Sequence, residues 1–162
     1  MPWVHFNESS FNTTNDSVFW TAVELDPSDM VSNISYFWGA QFDVVYDPNL
    51  IAPRTNGRRP GSLYDLIGAN WTESDYDSET EIEPGRVRIQ VDWRDYPSLP
   101  EYAGITTNGG TLIYLKWRAT TNTGVTNLDF VEFKALVGMG PLPAVEWEIT
   151  PVLWTNSSVT VQ

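Results

Sequence analysis

The sequence contains no cysteine, so no disulfide bond can stabilise the fold and no thiolate can act as a nucleophile or a metal ligand. Histidine occurs once, at His5, and lysine only twice, at Lys116 and Lys134. No apolar run approaches the roughly 18 residues that a transmembrane helix requires. These absences argue against catalysis or metal binding by cysteine or histidine side chains, and they predict no membrane insertion.

Positive charge is also scarce. Nine Lys and Arg residues stand against 21 Asp and Glu, which gives a formal net charge of −12. A chain this acidic repels the phosphates of nucleic acid, so we expect no nucleic-acid partner. Six Asn-x-Ser/Thr acceptor sequences occur, where about two are expected by chance, and this excess favours an extracellular or cell-surface protein.

Aromatic residues are abundant, with 8 Trp, 7 Tyr and 7 Phe in 162 residues. They lie in short runs rich in Val and Thr, and turn sequences such as Asp47-Pro48 and Pro84-Gly85 separate these runs. This pattern predicts an all-β chain of one domain over residues 1–162, with 1–16 as a loosely ordered lead-in. The strands are expected at 17–25, 36–46, 62–67, 70–76, 86–94, 110–120, 127–136, 145–149 and 157–161. About nine strands at this spacing favour two packed sheets, in a sandwich or jelly roll.

Two segments alternate most clearly between apolar and polar residues. In 36–46 the outward row contains Gly39, Gln41, Asp43 and Val45, and in 86–94 it contains Arg88, Gln90, Asp92 and Arg94. The inward positions and the apolar run at 110–120 give the predicted core, which is Phe42, Val44, Val87, Ile89, Val91, Leu112 and Leu115. Leu112 and Leu115 can share one face only if a β-bulge lies between them.

Catalytic and metal-binding interpretations have weak support in the sequence. His5 stands in a polar segment without convergent partners, so a solvated side chain explains it better than acid–base or metal chemistry. Hydrolysis by two facing carboxylates would need a pair that nothing in the sequence singles out. The segment at 74–85 places five carboxylates at alternate positions and could bind a hard cation, although a solvated acidic loop is the simpler interpretation. We expect no catalytic residue, no bound metal and no cofactor.

The order of several motifs resembles that of cohesin domains, the receptor modules that bind dockerin modules in extracellular assemblies. The resemblance spans residues 17–161. It rests on GAQFDVVYDPNLI (39–51), PGSL (60–63), PGRVRIQV (84–91), GITTNGGTLIYLKWRATTNTGVTNLDF (104–130) and SSVTV (157–161).

This resemblance implies a nine-stranded jelly-roll β-sandwich without catalysis, whose partner is a dockerin-containing protein. Any calcium is expected on the dockerin. In the family, one sheet face binds the dockerin, and here it would comprise the strands at 36–46, 70–76, 86–94 and 127–136. The implied binding residues are Gly39, Gln41, Asp43, Val45, Arg88, Gln90, Asp92, Arg94, Glu132, Lys134 and Leu136, with Val45 and Leu136 as apolar contacts.

The sequence departs from the family pattern in two places. Well-studied cellulosomal cohesins tend to carry an Asn and an Asp where this chain has Gly39 and Gln41. Residues 93–97, with the sequence WRDYP, replace a small acidic stretch after the sixth strand. The sequence therefore predicts that the partner is either a different dockerin or a divergent one.

Two other functions remain open from the sequence alone. An exposed tryptophan can stack on a sugar ring, and Trp38 and Trp71 are the expected exposed ones among eight. A carbohydrate-binding module would share the sandwich architecture. A purely structural sandwich, with an ordinary solvated sheet face, is the remaining alternative.

Overall fold

The computed structural model describes residues 2–26, 36–54, 59–60, 77–92, 109–139 and 146–162, and these residues form strands and no helix. The strands are β1 (Trp3–Phe6), β2 (Phe11–Thr13), β3 (Val18–Asp26), β4 (Tyr36–Val45), β5 (Ile51–Pro53), β6 (Arg59–Pro60), β7 (Asp77–Glu83), β8 (Arg86–Asp92), β9 (Gly110–Ala119), β10 (Gly124–Met139), β11 (Glu146–Ile149), β12 (Leu153–Thr155) and β13 (Ser157–Val161). The all-β prediction is confirmed.

The strands form two sheets. Sheet A has the order β12-β1-β3-β9-β5, with β6 also paired to β9. Sheet B has the order β2-β13-β10-β4-β8-β7, with β11 also paired to β10. The predicted sandwich is therefore confirmed. The strands predicted at 36–46, 86–94 and 127–136 are neighbours in sheet B, as the resemblance implied.

Apolar side chains from the inner faces of both sheets form one core. All seven predicted core residues are at most 1% exposed. The expected bulge in β9 is present, because Val23 pairs with Ile113 whereas the next residue, Glu24, pairs with Thr111. Leu112 is the extra residue at this shift, and this lets it share the core with Leu115.

Aromatic rings join the two sheets at the centre of the core. Phe130 of sheet B stacks on Phe6 of sheet A with ring centroids 4.9 Å apart, and meets Phe42 edge-on at 5.4 Å. Trp117 is fully buried, and its indole Nε1 donates a 3.0 Å hydrogen bond to Oγ1 of Thr21. Because this bond satisfies the only polar atom of the indole, a large aromatic can be buried at no cost in lost hydrogen bonding.

Residues 2–16 differ from the predicted loose lead-in. They contain β1 and β2, and Val4 and Phe6 of β1 belong to the core. β1 lies between β3 and β12 in sheet A, and its partners in β12 lie near the other end of the chain. The prediction was wrong because a strand as short as the four-residue β1 carries little local β signal. Pairing with strands that are distant in sequence decides its conformation.

The other predicted strands divide into two groups. Seven match described strands to within a few residues: β3, β4, β8, β9, β10, β11 and β13. Those predicted at 62–67 and 70–76 lie outside the described residues. The strands β5, β6, β7 and β12 were not predicted, and β7 covers most of the segment interpreted as an acidic loop. Short strands of two to seven residues depend on neighbours in the sheet more than on their own sequence.

Candidate protein-interaction face

The outer face of sheet B presents an ordered set of side chains from β4 and β8. The two strands are antiparallel, and their register places Gln41 beside Gln90 and Asp43 beside Arg88. The inward neighbours Phe42 and Val44 are fully buried, so alternation directs the residues between them outward. We call this surface the β4–β8 face and define it by Gly39, Gln41, Asp43, Val45, Arg86, Arg88 and Gln90.

An ion-pair cluster lies at the centre of the β4–β8 face. Arg88 donates from Nε to Oδ1 of Asp43 at 2.8 Å and from Nη2 to Oδ2 at 3.1 Å. Arg86 donates from Nε to Oδ2 of the same carboxylate at 2.5 Å. The side chain of Asp43 is 0% exposed, whereas those of Arg86 and Arg88 are 32% and 38% exposed. The two arginines therefore cover a carboxylate that points away from the core.

The ionisation of this cluster follows from its contacts. Burial raises the pKa of the Asp43 carboxyl, but the hydrogen bonds and charges of Arg88 and Arg86 outweigh burial and hold that pKa below its ordinary value. The hydrogen bond to Asp43 raises the pKa of Arg88. Asp43 is thus a carboxylate at neutral pH.

The structure brings six of the predicted site residues together on the β4–β8 face: Gly39, Gln41, Asp43, Val45, Arg88 and Gln90. The backbone of Asp92 pairs with that of Gly39, at the end of the same row. Arg94 and the side chain of Glu132 lie outside what the structure describes. Whether these residues bind a partner stays a prediction.

Lys134 and Leu136 do not lie on the outer face, contrary to the prediction. Lys134 pairs with the inward Phe42, and its Nζ lies 6.0 Å from the centroid of the Trp154 ring in sheet A. Leu136 pairs with Ala40 and is fully buried in the core. Leu136 therefore cannot provide the expected apolar contact at the surface.

The pairing of β10 with β4 shows which side of sheet B these residues occupy. Phe130 pairs with Val44 and Lys134 pairs with Phe42, so three residues of β10 stand opposite Asp43 alone. This irregularity leaves the even-numbered side chains of β10 on the inner side both before and after it. The β10 residues that flank the β4–β8 face are instead Asp129 and Ala135, which pair with Val45 and Gln41.

Arg86 belongs to the site, although the sequence analysis did not include it. It pairs with Val45 and lies on the same side of β8 as Arg88. The signal was present, because position 86 continues the alternation of Arg88 and Gln90 back to the start of the strand. The strand was predicted from residue 86, but its expected outward row began at Arg88, two residues after Arg86.

Residues 77–83 of the acidic segment form β7, the last strand of sheet B among the described residues, rather than a solvated loop. Glu79 and Glu81 pair with Ile89 and Val87, and the side chain of Glu79 is buried. Burial, followed by the charges of Glu81 and Glu79, raises the pKa of the Tyr46 hydroxyl to about 12. Within the described part of the chain, no group of three His, Cys, Asp or Glu residues could hold a metal ion.

The outer face of sheet A has a different, aromatic character. Trp3, Trp20 and Tyr114 are each between 36% and 38% exposed. His5 stacks on Trp3 with ring centroids 3.9 Å apart, so its environment is a strand surface rather than a polar tail. Nζ of Lys116 lies 5.4 Å from the centroid of the Trp20 ring. The side chain of Trp38 and the whole of Trp71 lie outside the described residues.

Comparisons with known proteins show what this fold resembles. No protein-family model matches the chain, and no curated protein matches it in sequence. Solved structures do match. The seventh ScaB type I cohesin from Pseudobacteroides cellulosolvens superposes with a TM-score of 0.71 at 17% identity, over 99% of this chain and 92% of that one.

Two further cohesin structures extend the comparison. A type I cohesin–dockerin complex from Clostridium thermocellum, Coh-OlpA-Doc918, matches with a TM-score of 0.70 and 13% identity, over 99% of each chain. A non-cellulosomal cohesin from the archaeon Archaeoglobus fulgidus matches with a TM-score of 0.63 and 15% identity, over 99% of this chain and 91% of that one. The chain therefore has the cohesin jelly-roll fold. In the described residues, no helix is long and apolar enough to cross a membrane.

Proposed function

We propose that this protein is a non-catalytic interaction module that binds a dockerin-containing protein through the β4–β8 face. The observation that carries this proposal is the cohesin fold over nearly the whole chain, together with neighbours solved as cohesin–dockerin complexes. The module would act outside the cell or at its surface, as part of a scaffold that assembles several proteins.

The composition of the β4–β8 face suits a protein partner. Gln41 and Gln90 offer both donors and acceptors at adjacent register positions, and Val45 adds a partly exposed apolar group. Arginine is a frequent anchor of protein interfaces, because its planar group makes several hydrogen bonds and also packs on apolar surface. Hydrogen bonds at such a face would fix the register of the partner, and its apolar contacts would be desolvated on binding.

Calcium in such a complex would belong to the dockerin. The chelator EDTA should then abolish binding while leaving the unfolding temperature of this protein alone unchanged. A loss of folding on chelation would contradict this assignment.

Calorimetric titration of the protein against a panel of dockerins tests the proposed function, and the variant Gln41→Ala tests the face. We expect the variant to weaken binding by about 1–2 kcal/mol, the usual cost of truncating a residue that anchors an interface. Its free energy of unfolding should change by less than about 0.5 kcal/mol, because the partly exposed Gln41 side chain lies outside the core.

Glu24→Ala is the matched control. Glu24 is a partly exposed residue of β3 that pairs with His5 of β1 in sheet A, the sheet that does not contain the β4–β8 face. It should leave dockerin affinity unchanged. Equal affinities for Gln41→Ala, Glu24→Ala and the unaltered protein would show that the face is wrongly chosen.

A carbohydrate-binding function is the second candidate, and the exposed aromatic residues of sheet A favour it. Sugar rings stack on exposed aromatic faces, so Trp20→Ala should weaken any binding to soluble glycans in affinity electrophoresis. The same variant should bind dockerin normally, because Trp20 lies on the opposite sheet. Binding to glycans without binding to any dockerin would replace the first proposal with this one.

A further inference from the structure

We propose that Asn12 is the acceptor of an N-linked oligosaccharide, and that this glycan covers the edge of sheet B that β2 forms among the described strands. The inference does not depend on dockerin binding. It starts from the excess of Asn-x-Ser/Thr sequences, which mark acceptor sites for N-glycosylation in secreted proteins. Four of the six lie in the described part of the chain and begin at Asn7, Asn12, Asn15 and Asn156.

Two of these asparagines use their carboxamides to hold the backbone of another strand. Oδ1 of Asn7 accepts a 2.9 Å hydrogen bond from the backbone N–H of Ala22, and Oδ1 of Asn156 accepts one of 2.9 Å from that of Phe130. A transferase must bind the whole carboxamide in its own site, so it would have to break these bonds. Because Ala22 and Phe130 are buried, their N–H groups would then lack a partner, which is costly.

The carboxamides of Asn15 and Asn12 differ from each other. Nδ2 of Asn15, the atom that would carry the sugar, donates to the carbonyl oxygen of Thr121 at 3.2 Å. Asn12 and Thr14, the first and third residues of their acceptor sequence, are both exposed. Neither side chain makes a hydrogen bond within the residues that the structure describes. Asn12 is therefore the acceptor that the folded protein presents without losing a bond.

The position of Asn12 gives a glycan a surface to cover. Its neighbour Phe11 packs against the core, so Asn12 points outward from sheet B. Asn12 pairs with Thr160 of β13, which pairs with Val125 of β10, and Val125 is 64% exposed. Since neighbouring strands are about 4.8 Å apart, Val125 lies roughly 10 Å from Asn12, within reach of the first sugars. The glycan would lie over Thr160 and Val125.

The edge of sheet B gives this glycan a role. β2 is three residues long and is the outermost described strand on its side of the sheet. An edge strand can pair with another chain, and natural proteins reduce this hazard by covering the edge. A bulky, hydrated glycan at the middle of β2 would block such pairing. Its attachment point is three strands, roughly 14 Å, from β4, so it is rooted outside the β4–β8 face.

The modification is a group transfer without oxidation or reduction. The new bond joins Nδ2 of Asn12 to the anomeric carbon C1 of the oligosaccharide. The bond that breaks joins C1 to a phosphate oxygen of a polyprenyl phosphate or diphosphate carrier, which leaves with the electron pair. One carboxamide proton passes to the phosphate or to solvent. The carrier lipid supplies the sugar, and a membrane oligosaccharyltransferase catalyses the transfer.

Transfer to the folded protein in vitro tests the site. Protein made without glycans is incubated with a purified oligosaccharyltransferase and its polyprenyl-linked donor, and peptide mapping by mass spectrometry identifies the occupied asparagines. We expect Asn12 to be modified roughly tenfold more than Asn7 or Asn156, because only the latter two must give up a bond to a buried backbone group. Short peptides that contain each acceptor sequence should all be modified, because no fold engages their carboxamides.

The outcomes decide the proposal. Absence of a glycan at Asn12, in the folded protein or in the peptide of residues 10–16, would overturn it. Equal modification of Asn7 or Asn156 in the folded protein would show that the hydrogen bonds do not select the site. Dockerin plays no part in these measurements, so a failure of the proposed function leaves them unaffected.

Variants of Thr14 and a spectroscopic measurement complete the test. Thr14→Val removes the hydroxyl at constant size and should abolish modification of Asn12, whereas the matched control Thr14→Ser should retain it. On glycosylation, the methyl signals of Val125 in nuclear magnetic resonance spectra should shift, and those of Val18, which is exposed on β3 in sheet A, should not. Unchanged Val125 signals in the glycosylated protein would contradict the covering role.

Discussion

Asp43 shows how a single residue can be outward in the strand pattern and still be inaccessible to solvent. Its neighbours Phe42 and Val44 fill the core, so its own side chain must project from the other surface of sheet B. There Arg86 and Arg88 cover it. An unpaired buried carboxylate would be costly, but two cations that donate hydrogen bonds offset that cost. The burial of Asp43 therefore depends on Arg86 and Arg88 as well as on Asp43 itself.

The pH dependence of stability should reveal this cluster. Because the pKa of Asp43 is lower in the folded protein than in the unfolded chain, its contribution is fully present above the ordinary aspartate value, near pH 4. The contribution is lost as the pH falls below that value towards the folded pKa. We expect Asp43→Asn to reduce the free energy of unfolding by about 1–3 kcal/mol at pH 7, and by progressively less as the pH falls below about 4.

Urea unfolding at several pH values would measure this difference. Asp16→Asn is the matched control, because Asp16 is 62% exposed and forms an exposed pair with Arg118. Asparagine also tolerates the positive φ of 56° at this position. The control should change stability little at any pH. A loss in Asp43→Asn that is equally large at pH 3 and pH 7 would show that the carboxylate charge is not its cause.

At the scale of elements, the turn between β7 and β8 determines that β8 begins at Arg86. Gly85 has a φ of 97°, a backbone conformation that residues other than glycine rarely adopt. A Cβ atom at this position would lie 3.1 Å from the carbonyl oxygen of Tyr46, which belongs to the segment following β4. The same turn is anchored by a 3.0 Å hydrogen bond from the backbone N–H of Tyr46 to the carbonyl oxygen of Gly85.

Gly85→Ala should therefore destabilise the protein by about 1–3 kcal/mol, because a strained backbone conformation adds to a close contact. Hydrogen exchange should show the loss first at the amides of β7 and β8, while β3 and β9 stay protected. Pro84→Ala is a suitable control at the neighbouring, exposed position. Uniform loss of protection across both sheets would indicate global destabilisation without a local origin at this turn.

At the scale of the whole molecule, the first strands connect the two ends of the chain. β1 pairs with β3 and with β12, and β2 pairs with β13. Phe6 contributes its ring to the centre of the core, where it stacks on Phe130. Residues 2–16 are therefore part of the sandwich, and removing them would take two strands and part of the core away.

Phe6→Ala should lower the free energy of unfolding by about 3–5 kcal/mol, the usual cost of deleting a buried aromatic ring. Thermal unfolding followed by circular dichroism would measure the effect. Glu8→Ala, at an exposed position just after β1, should change stability by less than about 0.5 kcal/mol. A small effect of Phe6→Ala would mean that residues 2–16 can detach without loss of the core.

Local patterning was sufficient for much of the fold and for six of the seven residues that define the β4–β8 face. The alternation in β4 and β8 correctly assigned Phe42, Val44, Val87 and Ile89 to the core, because side chains of a strand must point to opposite faces in turn. The same rule placed Gln41, Arg88 and Gln90 outward. Even the bulge at Leu112 followed from the sequence, since two apolar residues at odd spacing cannot otherwise share a face.

The sequence by itself thus determined the all-β class, the major strands and the direction of side chains within each regular strand. Only the tertiary structure showed that β10 gains two residues against β4 between Phe130 and Lys134, so that Lys134 and Leu136 keep the inner side that Phe130 occupies. Only the tertiary structure brought Asp43 to Arg86 and Arg88, 43 and 45 residues away in sequence. The physical reason is that alternation is a local property of the backbone, whereas register and ion pairing depend on which distant strand becomes the neighbour.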